Sequence, residues 1–182
     1  MEDNKILLHA CCAICAAYPI KFLIEQGYAP TVFFTNDNID TNGEFERRKQ
    51  ALLYLCEHFN IPYIIDTYKH NNYLNYVKGL ENEPERGARC KNCIEYRLKQ
   101  TAQKAKDLGF TKFTTTLVIS PHKNFDLISK LGDDIAEEYS LEYKSINFRK
   151  QDGFLKTNEI ANSLNLYRQN YCGCEFAKSH LK

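Results

Sequence analysis

Short apolar runs alternate with longer amphipathic segments along the 182-residue chain. Lys5-Ile6-Leu7-Leu8-His9 is too short for a helix and apolar without alternation, which is how a strand covered on both faces reads. Ile14 to Gln26 carries apolar residues at helical spacing and runs into Gly27, well placed for a left-handed helix cap. Pro30 to Phe34 is a second apolar strand, Glu44 to Phe59 a helix with a charged face (Glu46, Arg47, Arg48, Lys49), and Pro62 to Asp66 a third strand. Right-handed crossovers between such elements predict parallel strands in one sheet.

The second half is less regular. The pattern predicts a short helix over Asn71 to Leu80 and a charged loop over Glu81 to Arg89 with Pro84 and Gly87 as breakers. Cys90 then opens a helix that runs to Leu108 and Gly109. Phe113 to Ile119 is β-branched and strand-like, its last residues bordering a functional loop, and Ser120 to Asn124 turns into a helix over Phe125 to Tyr139. A weak strand over Glu142 to Ile146 and a helix over Asn158 to Leu166 precede the tail Tyr167 to Lys182. With 43% hydrophobic residues and neither repeat nor linker, a single domain over residues 1–182 is expected.

Charge narrows the partners. The 24 basic and 23 acidic side chains leave a net +1, so nucleic acid or any acidic ligand must be met by a local patch. The charged start MEDNK and its apolar run of about five residues fall far short of a secretory core or a membrane span. A cytoplasmic chain without a membrane partner is expected.

In a reducing compartment, clustered cysteines bind metal or do redox work more often than they form staples. Seven of the eight fall in three groups: Cys11, Cys12 and Cys15; Cys90 and Cys93; Cys172 and Cys174. Cys56 stands alone inside a helical pattern and reads as a small core residue. The first group lies at the carboxyl end of the first strand, where open α/β sheets place their chemistry. Cys90-Lys91-Asn92-Cys93 puts two sulfurs on one face of a helix's first turn, where the dipole favours thiolates; it suits a redox dithiol, half a zinc site or part of an iron–sulfur cluster. In Cys172-Gly173-Cys174 the glycine lets the backbone bend both sulfurs toward one centre. Seven thiols exceed the four of a cluster or a tetrahedral zinc, leaving three for a second metal or a redox pair.

Four stretches carry a resemblance: Leu7 to Tyr18 (LLHACCAICAAY), Leu80 to Leu98 (LENEPERGARCKNCIEYRL), Phe113 to Asn124 (FTTTLVISPHKN) and Leu166 to Cys174 (LYRQNYCGC). In these the chain resembles the epoxyqueuosine reductases of QueH type, the cobalamin-independent enzymes that finish queuosine in tRNA. Asn36-Asp37-Asn38-Ile39 is a looser match to an asparagine-rich segment of that family. The resemblance implies an α/β, Rossmann-like (adenine nucleotide α-hydrolase-like) three-layer fold with a mostly parallel sheet. It further implies a 4Fe-4S cluster with a second mononuclear iron or a redox-active cysteine pair, and two-electron deoxygenation of epoxyqueuosine in the tRNA anticodon loop at the expense of an unidentified electron donor. Where ATP-activating relatives of the fold have a glycine-rich phosphate loop, this chain has Ala10-Cys11-Cys12-Ala13-Ile14-Cys15, so ATP is not expected there.

On that reading Cys11, Cys12, Cys90 and Cys93 are assigned to the cluster, and Cys15, Cys172 and Cys174 to the second iron or redox pair, with an exchange of Cys11 and Cys172 as the alternative. His122 and Tyr171 are the expected proton donors, and His9 a core residue. Arg86, Arg89, Arg97, Arg149, Lys150 and Arg168 are expected at RNA phosphates, with Tyr167 and Tyr171 stacking on a base. Two rival classes use the same thiols: an iron-free thiol–disulfide oxidoreductase and a zinc-stabilised tRNA-binding module.

Overall fold

A computed structural model describes residues 4–178; the outermost residues of the charged start and of the tail lie outside the described residues. The strands β1 (Lys5–His9), β2 (Ala29–Phe34), β3 (Tyr63–Ile65), β4 (Lys112–Thr115) and β5 (Glu142–Tyr143) form one sheet in the order β3-β2-β1-β4-β5. Every neighbouring pair is parallel, with His9 level with both Phe33 and Thr115. The chain walks outward from β1 in one direction through β2 and β3, then returns to the other side of β1 for β4 and β5. Right-handed crossovers therefore put α1 (Ala13–Glu25) and α2 (Asn42–Phe59) on one face and α5 (Phe125–Tyr139) on the other. Helix α6 (Gly153–Ser163) packs on α1, and α4 (Ala88–Asp107) on α5 with the short α3 (His70–Tyr76) beside it, which completes three layers.

The strands read as unbroken apolar runs because both faces are covered: Ile6, Leu7, Leu8, Val32, Phe33, Phe34 and Phe113 are buried without residual exposure. Each such side chain contributes about 1.5–3 kcal/mol of burial. Cys56 belongs to this core, as its helical context implied. No described helix is long and apolar enough to cross a membrane.

Several elements differ from their expected bounds, among them the short helix expected over Asn71 to Leu80, which spans His70–Tyr76. The strand expected over Phe113 to Ile119 ends at Thr115, whose hydroxyl accepts from Leu117 N and turns the chain into a 3₁₀ segment, Thr116–Ile119. The strand expected to reach Ile146 keeps only Glu142 and Tyr143. The last long helix starts at Gly153, five residues early, and at that first position the chain packs so tightly that a Cβ would lie 1.7 Å from Phe148 O. The helix expected from Cys90 starts at Ala88 with Gly87 as its N-cap, so Cys90 sits within the first turn.

Candidate metal centre

The strand order reverses between β1 and β4, and the crevice outside their carboxyl ends is the place where open α/β sheets bind ligands. Cys11 and Cys12 follow β1 there, and Cys15 lies in the first turn of α1. Cys12 is the N-cap: its sulfur accepts from Cys15 N at 3.4 Å, a task given in other helices to a hydroxyl or carboxylate. From the other lip of the crevice, Thr116 Oγ1 accepts from Cys11 N at 3.2 Å and donates toward Cys11 Sγ at 3.5 Å. The three sulfurs lie within 4.8 Å of one another. The expectation separated Cys15 from Cys11 and Cys12, whereas the structure draws the three together because a helix's first turn curls residue 15 back over residue 12.

The other four thiols converge from two elements. Cys93 on α4 and Cys174 at the start of α7 (Glu175–Lys178) share a small apolar cluster with Tyr73, Val77 and Ala177. Cys90 accepts at its sulfur from Arg86 N at 3.2 Å, and Cys172 is exposed at the surface of the same region. Cys90, Cys172 and Cys174 all act electrostatically on Cys93.

Two cations look onto these sulfurs. Lys123 Nζ is 4.0 Å from Cys172 Sγ. Interaction with Cys172 first, and with Cys11 after it, raises the Lys123 ammonium to about 12 against the cost of desolvation. Arg97 is buried beneath Cys93, whose carbonyl accepts from its Nε at 3.3 Å. Burial works against that cation, and interaction with Cys93, Cys172 and Cys11 favours it, so its pKa is raised.

Among the sulfurs, hydrogen bonds from Cys12 and Cys15 and the charge of Lys123 pull the Cys11 thiol well below its ordinary range, burial opposing. Cys12 rises to about 12, first through its hydrogen bond with Cys11, and Cys15 also rises. Desolvation lifts Cys93 to about 11. The crevice thus favours one thiolate at Cys11 under a standing positive field.

His9 lies beneath it, fully buried, with Nδ1 2.8 Å from Thr115 Oγ1 and Nε2 3.3 Å from the Thr35 carbonyl. A carbonyl only accepts, so Nε2 carries the proton and Nδ1 accepts from the threonine. Burial and then the Arg97 charge depress its pKa to about 3, so the ring is neutral, as a core histidine should be.

The residues expected to meet RNA separate into two sets. Arg86, Lys150, Tyr167 and Arg168 are exposed and Arg149 is half-buried. Arg89 and Arg97 do not reach the surface, each being only 2% exposed. Arg89 donates to the carbonyls of Leu80, Glu81 and Glu83 and lies 4.6 Å from the Phe176 ring centroid, so it fastens the loop before α4 to the tail. Both are corrected from substrate contacts to internal cations.

The expected proton donors also separate. His122 is exposed and its Nδ1 accepts from Arg86 Nη2 at 3.2 Å. Tyr171 donates its hydroxyl to Asp40 Oδ1 at 2.7 Å, and burial followed by that bond raises its pKa. Its ring lies under the Arg48 guanidinium, 5.2 Å away, which takes it out of the role of stacking base partner.

Sequence reasoning missed Lys123, one residue beyond His122, although the same SPHKN turn carried the signal. It also missed Arg48, read as part of a solvated face but 3% exposed, and it gave no role to the Asn36-Asp37-Asn38 loop, which is buried. That loop lies under the tail: Asn36 Nδ2 donates to Ala10 O, and Asp40 N to Gly173 O. Asp37 accepts from Lys69 N, Tyr96 and Gln100.

Fold and site together define an α/β protein of the Rossmann-like type with a thiol centre at its switch point. The family model described as "Epoxyqueuosine reductase QueH" matches residues 6–180, and the chain belongs to that family, whose members are named as oxidoreductases. The epoxyqueuosine reductase QueH of Streptococcus pyogenes serotype M1 is 39% identical over 179 residues, spanning 95% of this chain and 70% of the relative. Among solved structures, the U34-tRNA thiolase NcsA from Methanococcus maripaludis, determined with its 4Fe-4S cluster, superposes with a TM-score of 0.60 at 13% identity, over 97% of this chain and 62% of its own. NMN synthetase from Francisella tularensis gives 0.54 at 12% identity, over 94% and 68%. At such identities these two structures speak to the fold alone, and they place it among adenine nucleotide α-hydrolase-like folds.

Proposed function

We propose that this chain is an epoxyqueuosine reductase acting on tRNA, and that one α/β domain with its cysteine-bearing loops and tail builds the whole site. The observation that carries the reading is the convergence of Cys11, Cys12 and Cys15 within 4.8 Å at the switch point, beside Lys123. The names of the relatives support the substrate. The reaction breaks both C–O bonds of the epoxide, forms a C=C bond and releases the oxygen as water, consuming two electrons and two protons. The electrons come from a donor outside the chain.

The donor set fits iron, and spacing suggests how it divides. A tetrahedral ion with metal–sulfur bonds of about 2.3 Å holds its thiolates roughly 3.8 Å apart, the scale of the Cys11, Cys12, Cys15 group. In a four-iron cube each thiolate caps a different iron, which asks for a wider set. Among the described residues no other three ligating side chains are drawn so close; because Cys90, Cys172 and Cys174 all act on Cys93, we assign those four as the wider set that would hold the 4Fe-4S cluster. This division differs from the one expected from sequence in moving Cys15 to the tight group and Cys172 and Cys174 to the wider one. When bound, the cluster supplies electrons singly and the second iron supplies Lewis acidity toward an oxygen.

The remaining work belongs to the chain. Lys123, held protonated between the two thiol sets, carries a proton at Nζ for the departing oxygen, and His122 stands one residue away at the mouth. Arg97 offsets the negative charge of the sulfurs from below. Arg86, Lys150 and Arg168 meet phosphates at the exposed rim, whereas the Tyr167 ring, its hydroxyl bonded to Glu44 and its face 5.7 Å from the Arg47 guanidinium, is held by α2 much as Tyr171 is.

The test is anaerobic reconstitution with iron and sulfide, metal and sulfide counts, and nucleoside mass spectrometry of tRNA bearing epoxyqueuosine. Loss of one oxygen from the nucleoside is expected. A zinc-only protein, or an iron-loaded one that leaves the epoxide intact with a competent reductant, would overturn the proposal.

A further inference from the structure

Among the described residues, the tail that delivers Cys172 and Cys174 has no strand and no long helix of its own to hold it. From Leu164 to Cys174 the chain is irregular, yet Cys174 is only 7% exposed. What keeps it in place comes from α2. Arg48 donates through Nε to Glu44 Oε1 at 2.7 Å, through Nη1 to the Cys172 carbonyl and through Nη2 to the Tyr171 carbonyl, both at 3.1 Å. Glu44, also buried, uses its second oxygen to accept from Tyr167 at 2.8 Å and Arg47 at 3.0 Å. Asp40 closes the clamp, accepting from the Tyr171 hydroxyl while its own N–H donates to Gly173 O at 2.8 Å.

Gly173 is the residue this arrangement requires. Its φ of +129° lies where side chains are rarely accommodated, and an added Cβ would stand 3.2 Å from both Arg48 Nη1 and Asn38 Nδ2. A planar fork that satisfies two consecutive carbonyls and one carboxylate fixes direction as well as distance, which a lysine's single ammonium does not. Burying such a charge pair adds little net stability, so its value here is positional.

We propose that Glu44 and Arg48 are positioning residues: a buried ionic latch that sets the backbone of the Cys172-Gly173-Cys174 segment and so aims its two thiols at the centre. This inference rests on the reading of those thiols as part of the site. Its test needs neither metal nor RNA, so it stands or falls separately from the proposed reduction.

The measurement is peptide-resolved alkylation of the full-length, metal-free, reduced protein by a maleimide, with Cys56 as internal reference because it is buried in the core on the same helix as Arg48. In Arg48→Lys, Cys174 is expected to react at least about tenfold faster while Cys56 stays protected, the signature of local opening. Iron release to a chelator from the reconstituted variant should accelerate in parallel. Unchanged Cys174 labelling overturns the latch. So does a matching rise at Cys56, which would mean that Arg48 supports the fold as a whole. If Arg48→Lys does not fold, Tyr171→Phe removes the Asp40 contact without disturbing the buried charges, and it should accelerate Cys174 labelling about threefold. No change there would equally count against the latch.

Discussion

The two ends of the chain bring cysteines to the same crevice by different means. Cys11, Cys12 and Cys15 are set by a strand end and the first turn of the helix that follows it, with the Cys12 sulfur itself capping that turn. Cys172 and Cys174 ride on irregular chain, set by a guanidinium 123 and 124 positions away in sequence. The first group is preorganised by backbone geometry that forms with the sheet. The second is held by side-chain contacts to irregular backbone, and it is the part of the site most able to open locally.

The largest effect that would sharpen this contrast is the removal of a ligand from the wider thiol set. Cys93→Ser should lose most iron and acid-labile sulfide and all measurable reduction, because a hydroxyl is a poor substitute for thiolate at iron. Retention of both iron and sulfide would break the proposed division. Lys123→Met comes next. Iron and sulfide should be retained while turnover falls about 10²-fold, the usual scale for a lost proton donor. An unchanged rate with saturating tRNA would remove Lys123 from the chemistry.

Third is the clamp's own stability. Glu44→Gln leaves Arg48 buried without its carboxylate, at a cost of about 3–5 kcal/mol, which thermal unfolding by circular dichroism would register as a drop of roughly 6–20 °C. The wild-type protein should show the same dependence through pH. Burial raises the Glu44 carboxyl, but hydrogen bonds from Arg48 and Tyr167 and the charges of Arg48 and Arg47 outweigh it, so the folded-state pKa is lowered. The unfolded chain therefore takes up the proton first. The contribution is fully present above the ordinary glutamate value and is lost as pH falls through it toward the lowered one. Glu44→Gln should flatten that acid limb; an identical slope in the variant would show that the pair carries no such linkage. The smallest effect is at the rim, where Arg168→Ala should weaken tRNA binding a few-fold and reduce the salt slope by about one. A salt slope equal to that of the wild type would take Arg168 off the RNA surface.

How much of this was legible in the sequence follows the same contrast. The parallel sheet, the helix over Phe125 to Tyr139 and the placement of the first thiols at the end of β1 are all written in local pattern, and each appears as expected. The asymmetric details were not. Glu44 and Arg48 look like any i, i+4 pair on a charged helix, and nothing in their spacing says that this face is covered by a tail beginning more than a hundred residues later. Arg89 and Arg97 failed in the same way: an arginine near a thiol reads as a substrate contact, and only the packing of α4 against the tail shows both guanidiniums turned inward. Lys123 was overlooked because histidine is the more familiar acid–base side chain, although the neighbouring lysine is the one that stands 4.0 Å from a sulfur.

The central claim is that the seven thiols form two ligand sets, a tight one around Cys11, Cys12 and Cys15 and a wider one from Cys90 to Cys174. Cys15→Ser separates them most directly, because sequence alone grouped Cys15 with the tail. Reconstituted anaerobically and analysed for iron and acid-labile sulfide per chain, this variant should keep the sulfide of the wild type, lose about one iron and reduce no epoxyqueuosine. Loss of sulfide together with most of the iron would instead place Cys15 on the cluster and contradict the division.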